Sequence, residues 1–187
     1  VEYADGRVSG AYRTRAFLMP GKRLGVAFED VTARKRAEDA LRESEERFRM
    51  AFEHASIGMC LVGLDGRFLQ VNSQMCVIFG YSQEEFARKT VNDITHPDYL
   101  DVSPTFIKRA RSGEVTHAAF EKLYRHKEGR QVWGQVTSAL LYDREGRPAY
   151  FISHVQDITE RKRAEDDLRK SEERFATVMN SMEALMY

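Results

Sequence analysis

The segment DVTARKRAEDALRESEERF at Asp30–Phe48 returns as DITERKRAEDDLRKSEERF at Asp157–Phe175. Fifteen of the nineteen positions are identical, and the two copies lie 127 residues apart. That period is too long for a solenoid repeat and matches one small domain with its linker. The sequence is therefore predicted to contain one complete period with an incomplete copy at each end, as a piece of a longer multidomain protein.

Each copy of the repeat predicts a helix that begins at Thr32 or Thr159, because threonine is a favourable N-cap and no proline or glycine follows for at least seventeen positions. Small and apolar residues recur in each helix with alternating spacings of four and three, the a/d pattern of a coiled coil. The predicted seam consists of Ala37, Leu41, Phe48, Ala164, Leu168 and Phe175. We expect a homodimer through this seam, and a solvated single helix is the alternative.

The segment between the two helices changes from strand to helix and back to strand. Asp65-Gly66, a strong hairpin-turn dipeptide, joins two short strand-like runs. Three short helical patterns follow, and Ser82 with Glu85 is a capping-box pair for the second, predicted over residues 83–89. Three more strands are predicted at residues 116–126, 131–142 and 148–158. Five strands with a helical insertion indicate an α+β domain whose antiparallel sheet has helices on one face.

Several short motifs in this order resemble those of PAS domains with a C-terminal PAC motif. They are Val71-Asn72, Phe79-Gly80-Tyr81-Ser82, His96-Pro97-Asp98-Tyr99, Lys127-Glu128-Gly129, Trp133 and Asp157-Ile158-Thr159-Glu160-Arg161-Lys162. The resemblance covers about residues 44–162. It implies a PAS fold: a five-stranded antiparallel sheet with short helices on one face, flanked by N- and C-terminal coiled-coil signalling helices.

The resemblance also implies a domain order. Residues 1–31 are expected to be the C-terminal strands of a preceding PAS-like repeat, and residues 32–50 a linker or signalling helix. The PAS/PAC domain is expected at residues 44–158. Residues 159–187 are expected to form the outgoing signalling helix and the start of a following repeat.

The function implied by the resemblance is sensing or signal relay in a bacterial multidomain protein. The helices would pass a change at a ligand or interface to an adjacent PAS or effector domain, such as a histidine kinase or diguanylate cyclase, outside this chain. The alternative is a structural module that dimerises and spaces its neighbours without a ligand. An enzyme fragment ranks last, since no catalytic residue set or phosphate-binding loop is found in the sequence.

Two residue pairs, Asp157 with Thr159 and Asp30 with Thr32, resemble the family's Asp-x-Thr element where the last strand meets the outgoing helix. The threonine is suited to capping the helix, while the carboxylate accepts a backbone N–H or pairs with an arginine. This element is expected to be a signalling junction, and a static cap is the alternative.

Apolar side chains from the predicted sheet and helices are candidates for lining a ligand pocket. They are Met59, Met75, Phe79, Ile94, Ile107, Trp133 and Phe151. Ordinary core packing is the favoured explanation for them, because a domain of this size needs such residues to fill its interior.

The cofactor is not determined by the sequence. Haem is not favoured, because the ligand-bearing helix of haem-binding relatives corresponds to Ser103–Arg111, which has no histidine, and Pro97 places His96 in a loop or cap. Flavin is not favoured, because the light-sensing flavin-binding relatives carry an Asn-Cys-Arg-Phe pattern on their helices, whereas Cys76 stands in Gln-Met-Cys-Val. No metal site is predicted, since Cys60 and Cys76 have neither a C-x-x-C spacing nor a histidine partner.

Charge and hydropathy exclude two classes of partner. The 29 lysines and arginines balance the 29 aspartates and glutamates, so no net charge favours nucleic acid. Apolar runs are too short for a membrane-spanning helix, and no membrane contact is expected from this segment. Cytoplasmic location is the expectation.

Overall fold

The computed structural model of the chain describes residues 2–4, 9–21 and 23–184, so predictions for residues 1, 5–8, 22 and 185–187 lie outside the described part. The chain forms two compact units, Val1–Ala51 and Phe52–Tyr187. In the first unit, strands β1 (Glu2–Ala4), β2 (Ser9–Met19) and β3 (Arg23–Asp30) form an antiparallel sheet in that order. Helix α1 (Thr32–Glu53) follows at the predicted threonine.

The second unit contains a five-stranded antiparallel sheet in the order β5-β4-β8-β7-β6. Its strands are β4 (Gly58–Gly63), β5 (Phe68–Val71), β6 (His117–Arg125), β7 (Gln131–Tyr142) and β8 (Pro148–Asp157). Its helices are α2 (Ser73–Phe79), α3 (Gln83–Phe86), α4 (Val102–Arg111) and α5 (Thr159–Ala184), with 3₁₀ turns at Val91–Ile94 and Pro97–Tyr99. The predicted α+β class and the five-stranded sheet are confirmed.

Local sequence signals account for most of these boundaries. Gly66 adopts φ +84° in the β4–β5 turn, and Gly80 ends α2 at φ +77°, in the left-handed region that glycine enters without steric cost. The predicted capping box is present, because Ser82 accepts the N–H of Glu85 while the Glu85 carboxylate accepts the N–H of Ser82.

Helix α3 is shorter than predicted, ending at Phe86 where the sequence pattern continued to Lys89. The chain leaves the helix there because it pairs with the first hairpin. The N–H of Phe68 donates to the carbonyl of Lys89 at 3.2 Å, and Thr90 forms an antiparallel bridge with Arg67. These long-range hydrogen bonds replace the ones that a longer helix would form.

The core lies between one face of the sheet and the helical layer. Strand alternation sends every second side chain inward, and β8 contributes Phe151 and Val155, which are 2% and 3% exposed. Phe79 and Ile94 of the helical layer are fully buried against this face. Aromatic rings interlock across the core, with Phe79 and Tyr124 centroids 4.9 Å apart.

Asn72 joins the hairpin to the elements around it. Its Oδ1 accepts the N–H of Met59 at 2.9 Å and that of Met75 at 3.0 Å. Its Nδ2 donates to the carbonyls of Phe52 at 2.9 Å and Ile57 at 3.0 Å. The side chain is fully buried, so one amide holds the end of α1, strand β4 and the start of α2 together.

We expect Asn72→Ala to lower the free energy of unfolding by about 3 kcal/mol, because it removes an N-cap and leaves buried polar groups without their partner. Urea denaturation measures the change. Gln70→Ala, at an exposed position of β5, is the matched control and should change the free energy by less than about 0.5 kcal/mol. Equal effects of the two substitutions would contradict a structural role for the amide.

Candidate functional site

A cavity of about 40 Å³ lies in the core between the sheet and the helical layer. By volume it holds roughly three water-sized spheres. Its walls are mostly apolar, and the polar groups reaching it come from β4, β6, β7, β8 and α4. They are Cys60, Lys122, Tyr124, Ser138, Ser153 and Ser103.

Lys122 is the charged side chain of this lining, and it is 1% exposed. Its Nζ donates to Thr95 Oγ1 at 3.0 Å and to Ser103 Oγ at 2.8 Å, and it lies 4.5 Å from the ring centroid of Tyr124. None of the described residues lining the cavity is an aspartate or glutamate. The ammonium is therefore held by neutral hydroxyls and a ring face instead of a carboxylate.

Burial shifts the titration of the groups around the cavity. It lowers the pKa of Lys122 to about 8 and raises the pKa of the Cys60 thiol to about 12. Burial also raises the pKa of Tyr124 well above its ordinary value. At neutral pH the thiol and phenol are neutral, so the lysine supplies the charge of the cavity.

Four of the seven residues predicted to line a pocket lie in the cavity wall. Met75, Ile94, Ile107 and Phe151 line the cavity. Phe79 is buried in the same core but lies outside the lining, and its ring packs against those of Phe86 and Tyr124.

The pocket prediction is wrong for Met59 and Trp133. Both lie on strands whose inward positions belong to their neighbours, Cys60 on β4 and Val132 on β7, so both point to the opposite face of the sheet. Trp133 instead packs edge-to-face on Tyr99, with centroids 5.5 Å apart, and lies 5.4 Å from Lys162 Nζ.

The junction between β8 and α5 is tied to the sheet by hydrogen bonds. The Asp157 carboxylate accepts the N–H of Thr159 at 2.8 Å, and Thr159 Oγ1 accepts the N–H of Trp133 at 3.0 Å. The N–H of Ile158 donates to the Trp133 carbonyl at 2.9 Å. The threonine oxygen thus bonds a neighbouring strand, where the sequence alone predicted a helix cap.

The first unit repeats this arrangement. The Asp30 carboxylate accepts the N–H of Thr32 at 2.9 Å, and Thr32 Oγ1 accepts the N–H of Ala11 at 2.9 Å. The N–H of Val31 donates to the Ala11 carbonyl at 2.9 Å. Two chemically identical junctions therefore begin α1 and α5.

Ion pairs add a second connection between β6 and α5. Glu121 accepts hydrogen bonds from Arg161 and Lys162, each at 2.7 Å. The two cations hold the pKa of the Glu121 carboxyl below its usual range. Glu121 and Lys122 are neighbours on the strand, so one faces α5 while the other faces the cavity.

Sequence reasoning missed Lys122, Thr95, Ser103 and Glu121. A signal for the lysine exists in β6, where Phe120, Lys122 and Tyr124 share one face by alternation and a charge stands between two aromatic residues. The predicted seam residues are all exposed in the single chain, with Leu41 and Leu168 at 61% and 62%.

Two further features concern metals and membranes. Within the described residues, no group of three or more His, Cys, Asp or Glu side chains is placed to hold a metal ion. Over the same part of the chain, no helix has the length and apolar character needed to span a bilayer.

The sheet order, the helical layer over one face and the helix leaving the last strand define a class of small α+β domains built on a five-stranded antiparallel sheet. The PAS domain family profile matches residues 56–160, more than half of the sequence. The chain belongs to the PAS domain family and is a sensory signal-transduction module.

Curated relatives are signalling proteins. A probable diguanylate cyclase of Escherichia coli is 40% identical over 123 residues, covering 66% of this chain and 11% of the relative. The C4-dicarboxylate transport sensor protein of Rhodobacter capsulatus is 32% identical over 153 residues, covering 81% and 23% respectively. The chain thus spans a quarter or less of the length of these two relatives.

Solved structures share the fold. A sensory box histidine kinase/response regulator from Burkholderia thailandensis matches with a TM-score of 0.54 and 26% identity, covering 70% of this chain and 98% of that one. A PAS domain from Colwellia psychrerythraea matches with a TM-score of 0.57 and 19% identity, covering 62% and 97%. The second likeness concerns the fold alone.

Lys122 provides a test of the cavity electrostatics through pH-dependent stability. Because its pKa is about 8 in the folded chain and 10.5 ordinarily, the unfolded chain binds more protons between these values. Stability from this group is therefore gained as pH rises from about 8 towards 10.5, on the order of 3 kcal/mol in full. Cys60 and Tyr124 act in the opposite direction at high pH, since their folded pKa values are raised.

We expect the stability of the wild type minus that of Lys122→Met to rise from neutral pH to about pH 10. Taking this difference removes the burial effects on Cys60 and Tyr124, which both proteins share, and leaves the charge interaction of Lys122 with the Cys60 thiol together with the titration of Lys122 itself. Urea unfolding across the range measures it. A difference that stays flat with pH would show that Lys122 titrates as an ordinary exposed lysine.

Proposed function

We propose that this chain relays a change at its core cavity to helix α5 and onward to an adjacent domain of the same protein. The observation that carries the proposal is the adjacency of Glu121 and Lys122 on opposite faces of β6. A displacement of Lys122 moves the backbone that also positions Glu121, and Glu121 holds Arg161 and Lys162 of α5. Strand β6 alone therefore connects the cavity to α5 in this relay.

The hydrogen bonds at Thr159 supply the second half of the relay. Trp133 lies on β7, which pairs with β6 through Leu123. The backbone N–H of Trp133 donates to Thr159 Oγ1. A shift of this part of the sheet therefore changes the direction in which α5 starts. Asp157 and Thr159, and by repetition Asp30 and Thr32, are the signalling junctions of the proposal.

The proposal includes an arrangement of domains in the longer protein. Residues 1–31 are the last strands of a preceding PAS repeat, which the β2–β3 hairpin and the Asp30–Thr32 junction support. Residues 32–50 form a signalling helix, residues 44–158 the PAS/PAC domain, and residues 159–187 the outgoing helix with the start of a further repeat. An effector such as a histidine kinase or diguanylate cyclase lies outside this chain, and the location is cytoplasmic.

The proposed chain is a homodimer that pairs through the coiled-coil seam, and its output is a change in that pairing. Ala37, Leu41 and Phe48 of α1 share the seam spacing with Ala164, Leu168 and Phe175 of α5, and all six are exposed in one chain. Burying two rows of apolar side chains against a second copy removes them from water. A change in the starting direction of α5 then alters the pairing.

Removing the Ser103 hydroxyl tests the relay. Ser103→Ala deletes one of the two hydroxyl partners of Lys122, so the ammonium and β6 shift. We expect amide NMR signals of Arg161 and Lys162 to move, and this movement to fall by more than half when Glu121→Gln and Thr159→Val are added. Thr105→Ala, on the exposed side of α4, is the control and should leave α5 signals unchanged. An α5 response that ignores the two junction substitutions would contradict the proposed route.

Charge substitution tests the seam. We expect Leu41→Glu combined with Leu168→Glu to weaken dimerisation at least about tenfold, because each places like charges in an apolar seam. Sedimentation equilibrium measures the association, and circular dichroism should remain unchanged since both positions are exposed. Leu69→Glu on β5, 58% exposed, is the control. A dimer unaffected by the double substitution would contradict the coiled coil.

A further inference from the structure

The charge at the core cavity is unbalanced. An ammonium group has three N–H donors, and those of Lys122 meet two neutral hydroxyls and the face of Tyr124. A ring face compensates a buried cation only in part. Burial of a cation without a carboxylate is costly, and an anion that enters the cavity relieves that cost.

The two hydroxyls differ in what they offer to such an anion. Thr95 Oγ1 donates to the carbonyl of Val91 at 2.6 Å, so its proton is engaged while its oxygen accepts from Lys122. Ser103 Oγ accepts from Lys122 and retains its own O–H for donation. An anion at the cavity end of Lys122 would thus meet an ammonium and a serine hydroxyl together.

We propose that the cavity binds a short-chain monocarboxylate of the size of acetate, with its carboxylate on Lys122 Nζ and Ser103 Oγ. The assignment names the ligand class of the relay described above and rests on that proposed function. Lys122 and Ser103 hold the head group, and apolar side chains of the lining, Met75, Phe106 and Phe151, hold the alkyl end.

The volume of the cavity limits the size of the ligand, and the single charge of Lys122 limits the ligand's charge. A cavity of about 40 Å³ has room for roughly three to four non-hydrogen atoms by comparison with water. A second carboxylate would lie among apolar side chains with no second cation in the described lining. The cavity therefore selects against dicarboxylates and against phosphate dianions.

The test is titration of the whole chain with sodium acetate at constant ionic strength. The readouts are calorimetry and the NMR signals of Lys122 Nζ, together with the amides of Trp133 and Thr159. Sodium succinate, sodium phosphate and sodium chloride are titrated in parallel as anions of the wrong valence or shape. The protein is studied wild type, with Lys122→Met, with Ser103→Ala and with the exposed control Lys108→Met.

We expect saturable binding of acetate that moves the Lys122 Nζ signal, and at least about tenfold weaker affinity in Lys122→Met. Ser103→Ala should weaken affinity about threefold or more, and it keeps the test valid if Lys122→Met fails to fold. Lys108→Met should bind as the wild type does. Succinate, phosphate and chloride should leave the Lys122 signal unchanged.

Three results overturn the assignment: no saturable monocarboxylate binding, equal affinity in wild type and Lys122→Met, or tighter binding of succinate, phosphate or chloride. Failure of the relay has a different signature. Binding that moves the Lys122 signal while the Trp133 and Thr159 amides stay fixed supports the anion site and contradicts the proposed function.

Discussion

Burial of the Lys122 ammonium constrains the rest of the second unit. A cation inside the fold requires polar partners at hydrogen-bond distance, and here they come from two separate segments. Thr95 follows a 3₁₀ turn and Ser103 lies in the first turn of α4. The lysine therefore links the helical layer to β6 beside the core cavity.

Alternation along the strands gives the sheet one face toward the cavity and one face toward α5. Inward residues of β7 such as Val136 and Ser138 line the cavity, while Trp133 faces the start of α5. The same alternation on β6 places Lys122 inward and Glu121 on α5. Cavity and helix are thus separated by one layer of backbone, which is the geometry on which the proposed relay rests.

The features that local chemistry controls could be predicted from the sequence. The repeat gave the starts of α1 and α5, Asp65-Gly66 gave the first turn, and Ser82 with Glu85 gave the cap of α3. The orientation of Trp133 could not be predicted, since Val132 and Trp133 are adjacent apolar residues and a shift of one residue exchanges the two faces. Lys122 was missed because its partners are 27 and 19 residues away, in segments whose paths depend on tertiary contacts.

The two Asp-x-Thr junctions show how consecutive units of this kind connect to the helices that leave them. Thr32 bonds Ala11 in the first unit as Thr159 bonds Trp133 in the second. Because each threonine ties a helix start to a neighbouring strand, each unit fixes the direction of the helix that leaves it. On the proposed function, α1 carries the state of a preceding sheet and α5 carries the state of this one. On the same proposal, the cavity with Lys122 is a local input that modifies a signal passing from one junction to the next.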